Sequence, residues 1–137
     1  MEITRETDYA IRCLLYLCKN EDRVVMMDEV SREMYIPKSF LAKILQKLTK
    51  ASIVKSFRGV KGGFMLLKNP GETTLLEVIV AVQGPIFMSK CVVDKKICSR
   101  SGFCSVHPIW RSITDSVIKK ISGYNFKKLV AIDKKAV

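Results

Sequence analysis

The sequence has no hydrophobic run long enough to cross a lipid bilayer. Its longest apolar stretches, residues 11–18 and 78–82, are interrupted or flanked by charge, whereas a membrane-spanning helix needs about 20 apolar residues. Charged side chains precede the first apolar segment and no small-residue cleavage site follows it, so the pattern of a secretory signal is missing. We therefore expect a cytoplasmic protein with no membrane partner.

Catalytic patterns are missing as well. The 137 residues include one histidine, and we find no Ser/His/Asp arrangement, no phosphate-binding loop and no carboxylate pair that would form an active site. A hydrophobic content of 48% is enough for a packed core, which excludes disorder of the whole chain. The composition favours a small folded protein that is not an enzyme and has no small-molecule substrate.

Acidic residues are absent from residues 34–71, although this segment holds eight of the 24 basic residues. The eight are Lys38, Lys43, Lys47, Lys50, Lys55, Arg58, Lys61 and Lys68. The rest of the chain carries 16 basic and all 13 acidic residues, so it is close to balance. Like charges concentrated in one segment repel each other unless a polyanion neutralises them. The segment favours a nucleic-acid partner, and a solvated lysine-rich face is the alternative.

Three helices are predicted before and within this segment, over residues 7–19, 27–34 and 38–50. The second is expected to be capped by Asp28 or its neighbour, and Pro37 suits the first position of the third. The third helix is the most regular, because an apolar stripe with i, i+3, i+4, i+7 spacing lies on the opposite side of the helix from a set of polar residues. The stripe is Leu41, Ile44, Leu45 and Leu48, and the polar side is Ser39, Lys43, Gln46 and Lys50.

Two short β-rich runs follow, residues 53–57 and 64–67, joined by a glycine-rich turn that carries Arg58 and Lys61. This pattern predicts a hairpin. The order helix, turn, helix, hairpin is typical of a winged helix-turn-helix, so we predict a mainly α-helical fold with a small β-hairpin wing. The predicted DNA-binding residues lie on the third helix and the wing: Lys38, Ser39, Phe40, Lys43, Gln46, Lys47, Arg58 and Lys61.

The second half of the chain is predicted to contain a helix over residues 73–82, a loop over 90–108 and a long helix over 109–122, capped by Gly123. The apolar stripe of the long helix is too long for so small a domain. It predicts a dimerisation helix that packs on a second subunit, with packing against the first helix as the alternative. The stripe contains Ile109, Ile113, Val117 and Ile121, with Trp110 beside it. The lysine-rich tail is expected to be mobile. The predicted divisions are 1–83 (DNA-binding domain), 84–108 (cysteine-rich loop) and 109–137 (dimerisation helix and tail).

Five cysteines occur in the chain. Cys13 and Cys18 fall on different faces of the first helix, so we expect them to be core residues. Cys91, Cys98 and Cys104 lie close together with His107, the single histidine. Soft sulfur ligands select zinc, copper(I) or iron–sulfur clusters. A short Cys-x-x-Cys knuckle, usual in structural zinc sites, is absent. The spacing therefore favours an iron–sulfur cluster over zinc or a metal-free thiol switch.

Several motifs together resemble one known family. Thr-Asp-Tyr-Ala at residues 7–10 opens the first helix, Ser-Phe-Arg-Gly at 56–59 and Gly-Gly at 62–63 form the wing, and Thr-Leu-Leu-Glu-Val-Ile at 74–79 follows it. The cysteine loop closes with His-Pro at 107–108. Nearly the whole chain resembles the Rrf2-type winged-helix regulators, the group that includes IscR and NsrR. The resemblance implies a homodimeric transcription regulator that binds near-palindromic double-stranded DNA and responds to the status of an iron–sulfur cluster.

The resemblance also implies a ligand set. Cys91, Cys98 and Cys104 match the cluster thiolates of the family. His107 stands where IscR-like members complete a 2Fe–2S site. Asp8 stands where NsrR-like members, which sense nitric oxide, take a ligand to a 4Fe–4S cluster from the partner subunit. Six residues separate the first two cysteines here, where five is the commoner spacing. We expect a 2Fe–2S cluster with His107 as fourth ligand; the alternatives are a 4Fe–4S cluster with Asp8 and a zinc-stabilised DNA-binding protein that has no sensing role.

Overall fold

The computed structural model describes residues 1–135, and its first three helices have the predicted order. Helix α1 spans Arg5–Lys19, α2 spans Met27–Met34 and α3 spans Lys38–Lys50. Thr4 caps α1, because its side chain accepts a hydrogen bond from the backbone N–H of Thr7. The predicted cap of α2 is wrong: Met26 occupies the cap position without a side-chain hydrogen bond. Since the helix begins one residue before Asp28, that carboxylate lies in its first turn instead.

The predicted hairpin is present and lies beside the three helices. Strand β1, Val54–Phe57, pairs antiparallel with β2, Gly63–Leu66. Val25 adds a backbone bridge to Phe64 on the other edge of β2. A Cβ atom on Gly63 would stand 2.3 Å from the carbonyl oxygen of Val25, so only glycine allows this close approach. The pairing holds the wing to the chain that leads into α2.

Helix α4, Leu75–Gln83, completes the core, and α6, His107–Ser122, packs against it. Between them lies the cysteine segment, which is not a plain loop, since it contains a one-turn helix α5, Lys90–Val93, and a 3-10 turn, Lys95–Ile97. Helix α6 begins two residues earlier than predicted and ends at Gly123, as expected. Apart from α4 it contacts mainly α5. Several of its side chains are exposed in the single chain: Ile109, Trp110 and Ile113.

The prediction of a mobile tail is wrong for the described residues. Residues 126–135 form helix α7, which packs on α1. The side chain of Phe126 is fully buried. A backbone bridge between Thr74 and Asn125 brings the chain back to the start of α4, and an ion pair joins Lys19 to Asp133. Burial of a whole phenylalanine supplies the driving force that the lysine-rich sequence conceals. The last two residues of the predicted tail lie outside the described residues.

The core consists of apolar side chains from α1, α2, α3, α4, α7, β1 and the segments that connect them. Its fully buried or nearly fully buried members include Ala10, Cys13, Leu14, Leu17, Val25, Val30, Ile36, Leu41, Ile44, Leu45, Leu48, Ile53, Val54, Val78 and Phe126. All four residues of the predicted apolar stripe on α3 belong to it. The opposite side of α3 is therefore left to the solvent. Among the helices of residues 1–135, none combines the length and the apolar character needed to span a membrane.

Candidate DNA-binding and metal-binding sites

The exposed side of α3 carries most of the residues that the sequence predicts to bind DNA. Ser39, Phe40, Lys43 and Gln46 are all exposed. The ring of Phe40 packs edge-on against that of Tyr9 on α1, with 5.3 Å between the centroids. This contact fixes the start of α3 on α1. The buried stripe and the exposed polar side thus occupy opposite faces, as a recognition helix requires.

Two of the predicted lysines are held by other parts of the chain. Lys38 Nζ lies 3.0 Å from Asp28 Oδ1, in a pair with both side chains 62% exposed. Such a surface pair is worth at most about 1 kcal/mol, so Lys38 stays available to a phosphate. Lys47 Nζ lies 2.9 Å from Glu6 Oε1 and donates to the carbonyl oxygen of Val82 at 3.0 Å. Lys47 is half-buried and faces α1 and α4.

The tip of the wing presents two cations to the solvent. Arg58 and Lys61 are exposed, and neither forms an ion pair within residues 1–135. Gly59 between them has a φ of +104°, a backbone conformation that residues other than glycine rarely adopt. Val60 is 97% exposed. The turn therefore carries two cations on a backbone shape that glycine permits, which suits contact with phosphates.

The structure exposes two further residues beside the predicted DNA-binding surface. Tyr35, 84% exposed, lies in the turn before α3 with a φ of 55°, an uncommon conformation for a bulky residue. Lys55 on β1 is exposed, and its ammonium lies 5.3 Å from the centroid of the Phe57 ring. The sequence placed Tyr35 in a sharp turn and counted Lys55 in the basic segment. The exposure that distinguishes them is a property of the folded chain.

The four predicted metal ligands line one cavity of about 220 Å³ between the cysteine segment and the start of α6. Cys91, Cys98, Cys104 and His107 are joined there by Trp110, which the sequence assigned to the dimer stripe alone. Within residues 1–135, no three His, Cys, Asp or Glu side chains converge closely enough to form a metal site. The structure therefore brings the predicted donors to one cavity but leaves them spread around it.

The imidazole of His107 is positioned for a ligand. Its side chain is 6% exposed, and Nδ1 lies 3.1 Å from Cys91 Sγ. Nε2 is buried and has no hydrogen-bond partner among the described residues. A buried polar nitrogen without a partner is costly, and a bound metal centre would relieve that cost. The donor set of three thiols and one imidazole suits an iron–sulfur cluster or zinc.

Cys104 lies at the N-terminus of α6, where backbone N–H groups are without partners in the helix. Hydrogen bonds from the backbone N–H of Val106, and then of His107, lower the pKa of the Cys104 thiol, and Arg100 acts in the same direction. A lower pKa favours the thiolate, which is the form that binds metal. The start of α6 therefore supplies a buried imidazole and favours the thiolate form of Cys104.

The remaining candidate ligands lie elsewhere. Asp8 is exposed on α1, and its Oδ2 lies 2.8 Å from an Arg12 nitrogen; it does not line the cavity with the cysteines. Cys13 and Cys18 are buried in the core, as predicted. Burial raises the pKa of both thiols to about 12. These two cysteines are therefore protonated core residues and not ligands.

Two known relatives are similar in sequence to this chain over most of their length. The chain is 32% identical to an HTH-type transcriptional regulator of Aquifex aeolicus, with 93% of this chain and 90% of that protein covered. It is 28% identical to the HTH-type transcriptional regulator IscR of Photorhabdus laumondii, with 95% and 79% covered. These relatives are regulators and not enzymes, which confirms that expectation.

Solved structures confirm the predicted winged helix-turn-helix. The IscR of T. potens superposes with a TM-score of 0.79 at 16% identity, covering 99% of this chain and 90% of that one. CymR, the global cysteine regulator of B. subtilis, gives a TM-score of 0.77 at 21% identity, covering 96% and 98%. At such identities the likeness shows the fold alone. Residues 3–132 match the Rrf2 family, described as an iron-dependent transcriptional regulator, and the chain therefore belongs to the Rrf2 family of transcription regulators.

Proposed function

We propose that this protein is an iron–sulfur cluster-sensing transcription regulator that binds near-palindromic operator DNA as a homodimer in the cytoplasm. The observation that carries this proposal is the single cavity lined by Cys91, Cys98, Cys104 and His107. The cavity lies at the start of α6, the helix with the most exposed apolar side chains, and a cofactor bound there stands next to the surface proposed for dimerisation. The relatives named IscR favour the same function.

The three thiols and the His107 imidazole would hold a 2Fe–2S cluster. When bound, the cluster supplies a redox-active inorganic centre whose loss or damage is the signal. The backbone N–H groups at the start of α6 lower the pKa of the Cys104 thiol and so favour the thiolate that binds metal. His107 offers a buried nitrogen beside Cys91. His107 is the proposed fourth ligand because it lines the cavity of its own chain, whereas Asp8, paired with Arg12 on α1, would have to come from the partner subunit.

The proposed dimer brings the exposed apolar side of α6 against the same surface of a second subunit. Ile109 is 52% exposed and Ile113 is 37% exposed in the single chain, and apolar patches of this kind mark interfaces. A twofold dimer would place two α3 helices in successive major grooves. Ser39, Phe40, Lys43 and Gln46 would face base edges or nearby phosphates, Lys38 a phosphate, and Arg58 and Lys61 the minor groove.

The test is anaerobic purification followed by assays of iron and sulfide, visible and EPR spectra, and operator binding with and without the cluster. We expect sulfide together with iron, and an operator affinity that changes when the cluster is removed. Cys98→Ala should abolish the visible spectrum, whereas the matched control Cys18→Ala, in the core, should retain it. Zinc without sulfide after reconstitution would favour the zinc-stabilised alternative and contradict the proposal.

A further inference from the structure

The end of α4, at Val82 and Gln83, forms hydrogen bonds with α3 and with the residues that lead into α1. The carbonyl oxygen of Val82 accepts a hydrogen bond from Lys47 Nζ on α3 at 3.0 Å. The side chain of Gln83 accepts from the backbone N–H of Thr4 at 3.1 Å and donates to the carbonyl oxygen of Glu2 at 3.0 Å. The end of α4 therefore holds both the recognition helix and the chain that begins α1.

The same end of α4 leads directly into the cysteine segment. After Gln83 the chain turns at Gly84, whose φ is +91°, and Ile86 is buried. The backbone N–H of Met88 then donates to Thr114 Oγ1 at 3.0 Å, and Thr114 Oγ1 donates to the carbonyl oxygen of Trp110 at 2.7 Å. Trp110 lines the cavity with the cysteines. The backbone from Val82 to Met88, together with these hydrogen bonds, thus connects Lys47 to the cavity wall.

We propose that Lys47 is a positioning residue that couples the cysteine cavity to the recognition helix, and that it is not a phosphate contact. This inference rests on the proposed function. It revises the role that the sequence pattern gave to Lys47, which was grouped with the DNA-facing lysines of α3. Lys47 differs from Lys43 on the same helix, because Lys43 is exposed and forms no ion pair within the described residues.

The physical argument concerns what happens when the end of α4 shifts. Lys47 Nζ has two partners on different elements, Glu6 on α1 and the carbonyl of Val82 on α4. A displacement of Val82 relative to α1 breaks or strengthens one of these contacts and so biases the position of α3. Coupling between two sites is a free energy that both sites share, typically a 5- to 150-fold change in affinity. Lys47 is placed to carry part of it.

The test compares Lys47→Met with Lys43→Met, which removes a lysine from the same helix. Operator affinity is measured for the cluster-loaded and cluster-free proteins over a range of salt concentrations. Loss of one phosphate contact reduces the slope of log affinity against log salt by about 1 per subunit. We expect Lys43→Met to lower the slope and leave the loaded-to-free affinity ratio unchanged. We expect Lys47→Met to leave the slope unchanged and reduce that ratio to within about threefold, from the 5- to 150-fold range.

Further variants keep the inference testable if Lys47→Met folds poorly. Lys47→Arg should restore most of the ratio, because it keeps a cation with hydrogen bonds to offer. Glu6→Gln removes the charge opposite Lys47 and should reduce the ratio without lowering the salt slope. In Glu6→Gln/Lys47→Met the reduction should be no larger than in Lys47→Met alone, since Glu6 acts through its contact with Lys47.

Each outcome separates the inference from the proposed function. A Lys47→Met protein with a lower salt slope and an unchanged ratio would show that Lys47 binds phosphate and would overturn the inference alone. A ratio that Glu6→Gln leaves at the wild-type value would also overturn it. Equal operator affinity of the loaded and free wild-type proteins would refute the proposed function, and the inference with it. The visible spectrum of each variant verifies that the cluster is still bound.

Discussion

The body formed by residues 1–83 with α7 and the cysteine segment of residues 84–106 are built in opposite ways. The body buries whole apolar side chains from five helices, and its hairpin is tied to Val25. The cysteine segment contains one buried residue, Ile86, while Ile97 is 57% and Phe103 is 73% exposed. We therefore expect the body to supply most of the free energy of folding. The cysteine segment is expected to become ordered when its thiols bind a ligand.

The largest effect should come from the contact that brings the C-terminal helix into the body. Phe126→Ala removes a fully buried ring and should lower the free energy of unfolding by about 3 to 5 kcal/mol. Urea denaturation followed by circular dichroism measures it. Ile132→Ala, at a side chain 55% exposed on the same helix, is the control and should change little. A loss below about 1 kcal/mol at Phe126 would mean that α7 does not belong to the body.

A second variant compares glycines of the two regions. Gly63→Ala places a Cβ against the carbonyl of Val25 and should cost about 1 to 3 kcal/mol of stability, with weaker operator binding because the wing shifts. Gly102→Ala, in the cysteine segment, meets no atom within 4 Å and should be close to neutral. Equal effects of the two substitutions on the unfolding free energy would contradict the contrast between the regions.

A polar cluster on the body should make the free energy of unfolding depend on pH in the acidic range. Hydrogen bonds from Arg23, and then from Tyr16, lower the pKa of Glu29 from 4.5 to about 2. Because the folded-state pKa lies below the unfolded one, this contribution is present above pH 4.5 and is lost as the pH falls towards 2. Glu29→Gln should cost about 1 to 2 kcal/mol at pH 7 and less at pH 3. A constant difference between the two proteins from pH 7 to 3 would contradict this pKa.

The smallest effect on stability is expected at a proposed ligand. Cys98 is exposed, so Cys98→Ala should change the unfolding free energy of the cluster-free protein by no more than about 0.5 kcal/mol. The same substitution should remove the stabilisation that reconstitution with iron and sulfide gives to the wild-type protein. Thermal unfolding before and after reconstitution measures both quantities. A large loss of unfolding free energy in the cluster-free state would mean that the Cys98 side chain contributes to the packing of the fold.

The sequence was sufficient where a repeating pattern determines the structure. The apolar stripe of α3 and the glycine-rich turn of the wing follow from spacing alone, and both are present. Helix α7 was missed because one phenylalanine, Phe126, carries its burial in a lysine-rich stretch that has the composition of a solvated tail. Asp28 was misplaced as a cap because helix ends shift by a residue or two when tertiary packing decides them.

The candidate site also has one part that the sequence predicts and one part that it does not. The grouping of three cysteines and a histidine is visible in their spacing, and the structure places all four on one cavity. The role of Lys47 is not visible in this way, because Glu6 and Val82, its partners, are far from it in the sequence. On a helical wheel Lys47 looks like one more cation beside Lys43. Only the packing of α3 between α1 and α4 tells the two lysines apart.

Helix α6 packs against α4 of the body and is held at two further points by hydrogen bonds. Near its middle Thr114 Oγ1 accepts a hydrogen bond from the backbone N–H of Met88 in the cysteine segment, and after its end the carbonyl oxygen of Tyr124 accepts one from the backbone N–H of Leu75 in α4. A helix held at two points cannot turn independently of the segments that hold it. In the proposed dimer, a rotation of one α6 against the other would therefore also move the rest of each subunit, including α3.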